Sequence, residues 1–145
     1  MKSIHNLFIV ALLSISTAFA GGKGWTNDLE AGIAQAKKEG KSVLVEFTGS
    51  DWCPPCIMMQ KNVFSKSDFV SAASKNYVLV IIDQPNKDKE LAKKNAPLFQ
   101  KFKINSVPHV VLLDGSGKEF HRFNPTQAPT VKGFLELIDP KNIKK

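Results

Sequence analysis

The segment Ser42-Val-Leu-Val-Glu-Phe-Thr-Gly-Ser-Asp-Trp-Cys-Pro-Pro-Cys56 changes from a strand pattern to a helix pattern. Its first part, residues 42–47, is short, apolar and rich in β-branched residues, which is typical of a buried strand. Residues 48–51 have the composition of a loop. The two prolines after Cys53 fit the first turn of a helix, because amides there have no intrahelical partner. The segment therefore predicts a strand that leads into a helix at the cysteine pair.

Strand and helix patterns alternate along the rest of the chain. Further strands are predicted at 77–82, 107–113 and 118–123, the last two joined by the turn at 114–117. Helices are predicted from a cap at Thr26 or Asn27 to about Glu39, from Cys53 with a break near Phe64 and a restart after Ser67, over 89–102 with a new turn or kink at Pro97, and over 130–138. This order predicts an α/β fold with a central mixed sheet flanked by helices, with parallel crossovers and an antiparallel hairpin at the end.

The first twenty residues have the features of a secretory signal. Lys2 precedes a compact apolar run at 7–13, and Ala18-Phe19-Ala20 fits the small-x-small cleavage pattern. The apolar run is short for a membrane span, and the charge order argues against a buried helix. We therefore expect a signal peptide at 1–20 and one domain at 21–145. The mature chain is expected in the periplasm or outside the cell, without stable membrane insertion.

The charge of the chain favours a lysine-rich surface over a nucleic-acid-binding site. The formal net charge is +7, and Arg122 is the only arginine among the 20 basic residues. Nucleic-acid-binding proteins favour arginine for bidentate contacts and cluster their charge on one face. Here the lysines are scattered over every predicted helix and loop, so no nucleic-acid partner is expected.

Cys53 and Cys56 are the only cysteines, and their spacing allows a zinc half-site, a structural disulfide or a redox pair. A structural zinc site needs four ligands, and His109 and His121 do not have the spacing of a zinc finger. A disulfide across so short a loop stabilises a fold little, because its effect grows with loop length. The pair is therefore predicted to be redox-active, with no metal and no cofactor.

The placement of the two cysteines assigns their roles. Cys53 lies where the strand ends and the helix begins, so the helix dipole favours its thiolate. Cys56 lies one turn further along and is expected to be more buried. Cys53 is therefore predicted to be the nucleophile, and Cys56 the thiol that resolves the mixed disulfide.

The chain resembles proteins of the thioredoxin-like family from about Thr26 to Ile138. The resemblance is carried by 43–47, by Trp52-Cys-Pro-Pro-Cys56 and by Ser106-Val-Pro108. The variant Phe-Thr-Gly-Ser-Asp-Trp-Cys is closest to exported members and to the periplasmic C-terminal domain of the thiol:disulfide interchange transporter. The resemblance implies a thioredoxin-like fold and exchange with protein thiols and disulfides and an upstream redox partner. It also implies that Pro108 is a cis-proline facing the cysteines, with the Val107 backbone offered to an extended substrate.

Three further residues are site candidates with an alternative role each. Glu46 lies seven positions before Cys53, one more than the buried acid of the family; it is either a proton relay for Cys56 or an ordinary edge glutamate. Trp52 is either a platform for partner chains or a core residue. His109, where the family has threonine, either contacts the thiolate or lies at the rim of the site.

Three functions compete at this point. The first is thiol–disulfide exchange on exported proteins, and the others are a copper(I)-binding metallochaperone and a non-catalytic interaction domain. The residues do not fix the direction of electron flow. Because Pro54 and Pro55 remove two amide donors from the first helical turn, they favour a reductase over a strong oxidant.

Overall fold

The computed structural model describes residues 22–143, so the predicted signal peptide lies outside the described residues. Strands and helices alternate much as the sequence predicts. The strands are β1 (Trp25–Thr26), β2 (Ser42–Thr48), β3 (Tyr77–Asp83), β4 (His109–Leu113) and β5 (Glu119–Phe123). The helices are α1 (Leu29–Glu39), α2 (Pro54–Met59), α3 (Ser67–Ala73), α4 (Lys89–Lys101) and α5 (Val131–Leu137), with a π-helical turn at Gln60–Phe64 and a 3-10 turn at Pro125–Gln127.

The five strands form one mixed sheet in the order β1-β3-β2-β4-β5. β3 runs parallel to both β1 and β2, whereas β4 runs antiparallel to β2 and to β5. The expected parallel crossover and the terminal antiparallel hairpin are both present. The connection through α4 was expected to be parallel as well, and here the prediction is wrong, because β4 enters the sheet beside β2 and runs antiparallel to it.

The sheet separates two apolar cores, one on each face, because successive side chains of a strand point to opposite faces. On one face α2, the π-helical turn, α3 and α5 cover the sheet through Met59, Phe64, Phe69 and Phe134. On the other face α1 and α4 pack through Leu29, Ala36 and Phe99. The central strand β2 is buried along its whole length, which agrees with its continuous apolar pattern.

Local chemistry moves several boundaries from their predicted positions. Asp28, rather than Thr26 or Asn27, caps α1 by accepting a hydrogen bond from the Ala31 amide. Thr26 instead belongs to β1, a two-residue strand too short to give a periodic signal, and Asn27 follows it. Pro97 lies inside one continuous helix. Within residues 22–143, none of the helices has the length and apolarity needed to cross a membrane.

Candidate active site

Cys53 is the N-cap residue of α2, at the carboxyl end of the central sheet. Its backbone is extended, and its sulfur accepts a hydrogen bond from the Cys56 amide at 3.3 Å. Pro54 and Pro55 occupy the first two helical positions and have no amide N–H to donate. Cys53 and Cys56 form a disulfide, with their Cα atoms 5.2 Å apart. The predicted redox pair is thus in place at the junction of strand and helix.

The loop before the helix is held by the loop that follows the neighbouring strand β3. The Ser50 amide and hydroxyl donate to the two carboxylate oxygens of Asp83, at 2.9 and 2.5 Å. Asp51 accepts from the amides of Asn86 and Lys87, both at 2.8 Å. These bonds fix the position from which Trp52 and Cys53 start the helix.

Trp52 is exposed beside the cysteine pair rather than buried in a core. Its side chain is 45% exposed, and its indole N–H donates to the Gln84 carbonyl at 2.8 Å. Gly49 lies against the indole ring, where a Cβ would collide with it. Ile57 and Met58, on the outer side of α2, are also exposed. Trp52, Ile57 and Met58 form an exposed apolar surface beside the disulfide, which we call the apolar rim.

The segment Val107–Pro108 contacts the nucleophile predicted from the sequence. The Val107–Pro108 bond is cis, as the resemblance implies. The Cys53 sulfur lies 3.7 Å from the Val107 carbonyl oxygen. Cys53 is 4% exposed and Cys56 is 1% exposed, so both are buried in the disulfide and the expected contrast between them is small.

Glu46 is fully buried in the middle of β2, which excludes an ordinary edge position. Its register partners on the neighbouring strands are Ile81 and Val110, both apolar. Neither carboxyl oxygen has a hydrogen bond of normal geometry among the described residues. Burial and then the negative charge of Asp83 raise the pKa of Glu46 to about 8, and the nearby Thr48 hydroxyl opposes this rise. A carboxyl group of this kind is close in acidity to a thiol.

A cavity of about 390 Å³ lies behind the resolving cysteine. Cys56 and Ile57 wall it on the side of α2, and Thr48, Ile81 and Asp83 wall it on the side of the sheet. Thr48 and Ile81 are the neighbours of Glu46 on the same face of the sheet, so the cavity adjoins the buried carboxyl group. Its lining includes Lys61, which carries a positive charge.

His109 lies at the start of β4, on the opposite face of the sheet from Glu46. Its register partner is Phe47, and its Nε2 atom is buried without a hydrogen-bond partner among the described residues. Burial and the positive charge of Arg122 lower the pKa of His109, which favours the neutral ring. No hydrogen bond within residues 22–143 joins it to either cysteine. In the same range no three His, Cys, Asp or Glu side chains come together as a metal-binding group.

Three residues that hold the site were not predicted from the sequence: Ser50, Asp51 and Asp83. Asp83 does end a predicted strand, and the carboxyl ends of β2 and β3 lie at one edge because the strands are parallel. The signal that could have found Asp83 was therefore present, whereas the loop bonds of Ser50 and Asp51 depend on details of loop geometry.

Comparison with known proteins places the chain among thiol–disulfide proteins. A family model described as thioredoxin-like matches residues 24–115. The disulfide bond reductase DsbH of Chlamydia pneumoniae is 34% identical over 101 residues, and the match covers 68% of this chain and 60% of that protein. The thiol:disulfide interchange protein DsbD 2 of Pseudomonas aeruginosa is 30% identical over 108 residues, covering 74% of this chain and 17% of that protein. The match thus spans less than two thirds of either relative.

Two solved structures support the fold. A structure described as the DsbH oxidoreductase superimposes with a TM-score of 0.60 and 28% identity, covering 93% of this chain and 96% of that one. A thioredoxin from Thermus thermophilus gives a TM-score of 0.59 at 19% identity, with 81% of this chain and 88% of that one covered. The second likeness shows the fold alone.

The raised pKa of Glu46 predicts a specific dependence of stability on pH. Between pH 4.5 and about 8 the unfolded chain has an ionised Glu46 while the folded chain keeps it protonated. The folded state then binds more protons, so the free energy of unfolding falls as pH rises through this window, by a few kcal/mol in order of magnitude. Glu46→Gln removes this loss. Urea unfolding of the oxidised proteins from pH 4 to 9 should show that the free energy of unfolding of the variant rises relative to that of the parent as pH rises.

The exposed Glu90 provides the matched control. Glu90→Gln should follow the pH profile of the parent. A difference between Glu46→Gln and the parent that is constant from pH 4 to 9 would contradict the raised pKa.

Proposed function

The chain belongs to the thioredoxin-like family, and from this premise we propose that it is a thiol–disulfide oxidoreductase that reduces disulfides in exported proteins. The observation that carries the proposal is the Cys53–Cys56 disulfide at the start of α2, beside the Val107 carbonyl and the apolar rim. A bridge across one helical turn contributes little to the fold and breaks without disturbing the core. It is therefore suited to a cycle of opening and closing.

The first step is attack by the reduced nucleophile. The Cys53 thiolate attacks one sulfur of a client disulfide, a bond forms between the two sulfurs, and the second client sulfur leaves as a thiolate and takes up a proton. The N-cap position favours the thiolate through the Cys56 amide and the positive end of the helix. Trp52, Ile57 and Met58 provide the apolar surface on which the client chain rests, and the Val107 backbone is the proposed contact for an extended segment.

The second step releases the client. When Glu46 is ionised it takes the proton of the Cys56 thiol, and the Cys56 sulfur attacks the Cys53 sulfur, so that the mixed disulfide breaks and the remaining client sulfur leaves as a thiolate. The client disulfide has then gained two electrons, and the cysteine pair has lost two. An upstream thiol-based redox partner must reduce the pair before the next cycle.

The environment of Cys53 supports a reductase rather than a strong oxidant. An N-cap side chain accepts bonds from the amides at the second and third helical positions. Pro55 occupies the second position, so the Cys56 amide is the only donor to the Cys53 sulfur among the described residues. The Val107 carbonyl oxygen lies 3.7 Å from the Cys53 sulfur and does not stabilise a negative charge on it. The lowered pKa of His109 favours its neutral ring, which adds no positive charge to the site. A thiolate with weak stabilisation leaves the reduced pair a good electron donor.

The site of action is part of the same proposal. We infer that residues 1–20 direct export and are removed, leaving the domain from residue 21 in an oxidising compartment, periplasmic or extracellular. The relatives support both the reaction and its direction, since one is named a disulfide bond reductase and another a thiol:disulfide interchange protein. In such a compartment a reductase must be kept reduced by its redox partner.

The role assignment is tested by trapping. Cys56→Ser should accumulate mixed disulfides with client proteins, because attack by Cys53 still occurs and resolution does not. Cys53→Ser should form none and should lose disulfide reduction, because the attacking sulfur is absent. Non-reducing electrophoresis after acid quenching, with the double variant as control, measures the trapped species. Equal trapping by both single variants would contradict the assignment.

The two prolines allow a matched test of the electrostatic argument. Pro55→Ala restores an amide at the second helical position, where it can donate to the Cys53 sulfur, so the acid dissociation constant of that thiol should rise about tenfold. Pro54→Ala restores an amide at the first position, which is not aimed at the cap side chain, and should change it little. Titration of thiolate absorbance in the reduced proteins measures both. Equal shifts in the two variants would contradict the donor argument.

A further inference from the structure

Asp83 lies close to the proposed proton relay and has no part in the exchange steps described above. Along the parallel pair β2–β3, Glu46 is the partner of Ile81, and Thr48 is the partner of Asp83. Because side chains alternate between faces, Glu46, Thr48, Ile81 and Asp83 all point to the face covered by α2. Asp83 is therefore the carboxylate on the neighbouring strand, one pleat beyond Glu46.

The Asp83 carboxylate is fixed in position. Both of its oxygens accept hydrogen bonds from Ser50, and its backbone carbonyl accepts one from the Asn95 side chain at 2.6 Å. Asp83 also lines the cavity behind Cys56. One side of this cavity thus presents a negative charge, and another presents the sulfur-bearing residue that must lose a proton in the second step.

Side chains from β3, from β4 and from the helical segment over this face surround Glu46. β3 contributes Ile81 and Asp83, and β4 contributes Val110. The helical segment over this face contributes Cys56 and, at the cavity, Lys61. Asp83 is the negative charge in this set, and it acts on Glu46 from two residues further along the register of the neighbouring strand. His109 and Arg122 lie on the other face of the sheet.

We propose that Asp83 is a positioning residue for the second step, whose fixed negative charge makes Glu46 a strong enough base to take the proton of Cys56. This inference rests on the proposed exchange chemistry. An ordinary carboxylate is too weak a base for a thiol, because their proton affinities differ by about four orders of magnitude. A negative charge nearby disfavours ionisation of Glu46 and so increases its affinity for a proton. Asp83 does this without contacting the client or either sulfur.

The second step transfers one proton and exchanges one sulfur–sulfur bond for another. The proton moves from the Cys56 sulfur to a Glu46 carboxyl oxygen, the Cys56–Cys53 bond forms, and the Cys53–client bond breaks. The client sulfur leaves with the electron pair. Glu46 later returns its proton to water or to the departing thiolate. Asp83 neither gains nor loses a proton, and no other reactant is needed.

The test separates the two steps with one reagent. An aromatic disulfide whose released thiolate absorbs light gives one burst of absorbance for attack by Cys53 and a second for resolution by Cys56. Single-turnover traces of the reduced protein are recorded from pH 5 to 10 for the parent, Asp83→Asn and Ser50→Ala. In Asp83→Asn the pH midpoint of the second phase should move down by about one pH unit, while that of the first phase stays in place.

Ser50→Ala is the matched control, since it removes the hydroxyl hydrogen bond to Asp83 but keeps the backbone amide bond and the charge. It should leave the midpoint of the second phase unchanged. The carboxyl carbon resonance of Glu46, followed as a function of pH in the oxidised proteins, gives a readout without turnover. The pH midpoint of this titration should move down in Asp83→Asn alone. An unchanged Glu46 titration in Asp83→Asn, or equal shifts in both variants, would overturn the inference. A parent that forms no mixed disulfide would instead overturn the proposed function.

Discussion

The hydrogen bonds from the Ser50 amide and hydroxyl to Asp83 hold the loop after β2 against the end of β3. This connection positions the loop that leads into the cysteine-bearing helix. β2 and β3 are parallel neighbours, so their carboxyl ends meet at one edge, and the chain must turn there into α2. Asp51 and Trp52 add bonds to the loop at 84–87, which fixes the direction of the helix. Cys53 is then delivered to the cap position, next to the cis-proline segment.

Two opposite electrostatic environments meet at this junction. Above α2 the Cys53 sulfur has a single amide donor and a carbonyl oxygen for neighbours, so its thiolate is stabilised only moderately. Beneath α2 the pKa of the buried Glu46 is raised to about 8, because the carboxyl group is desolvated and close to a negative charge. The first environment suits a donor of electrons, and the second suits a group that exchanges a proton with a thiol. The cavity behind Cys56 adjoins the buried carboxyl group.

Much of this arrangement could be predicted from the sequence because its signals are local. The apolar runs at 42–47 and 77–82 gave the two central strands, and the prolines after Cys53 gave the start of α2. β1 was missed because two residues cannot show a period, and its place depends on pairing with β3, far along the chain. The predicted direction of β4 was wrong because an alternation of helices and strands does not fix the direction in which the chain re-enters the sheet. The position of Asp83 at the end of a predicted strand was visible in the sequence, but its effect on Glu46 depends on the register of β2 and β3, which a single sequence does not show.

The central claim is that a weakly stabilised Cys53 thiolate makes this pair an electron donor. The most direct test is the reduction potential of the Cys53–Cys56 couple, measured by equilibrating residues 21–145 with glutathione buffers and quantifying both forms by alkylation. We expect a value of about −270 mV, in the range of a reducing thioredoxin. A value of about −120 mV, typical of a strong disulfide donor, would contradict the assignment as an electron donor.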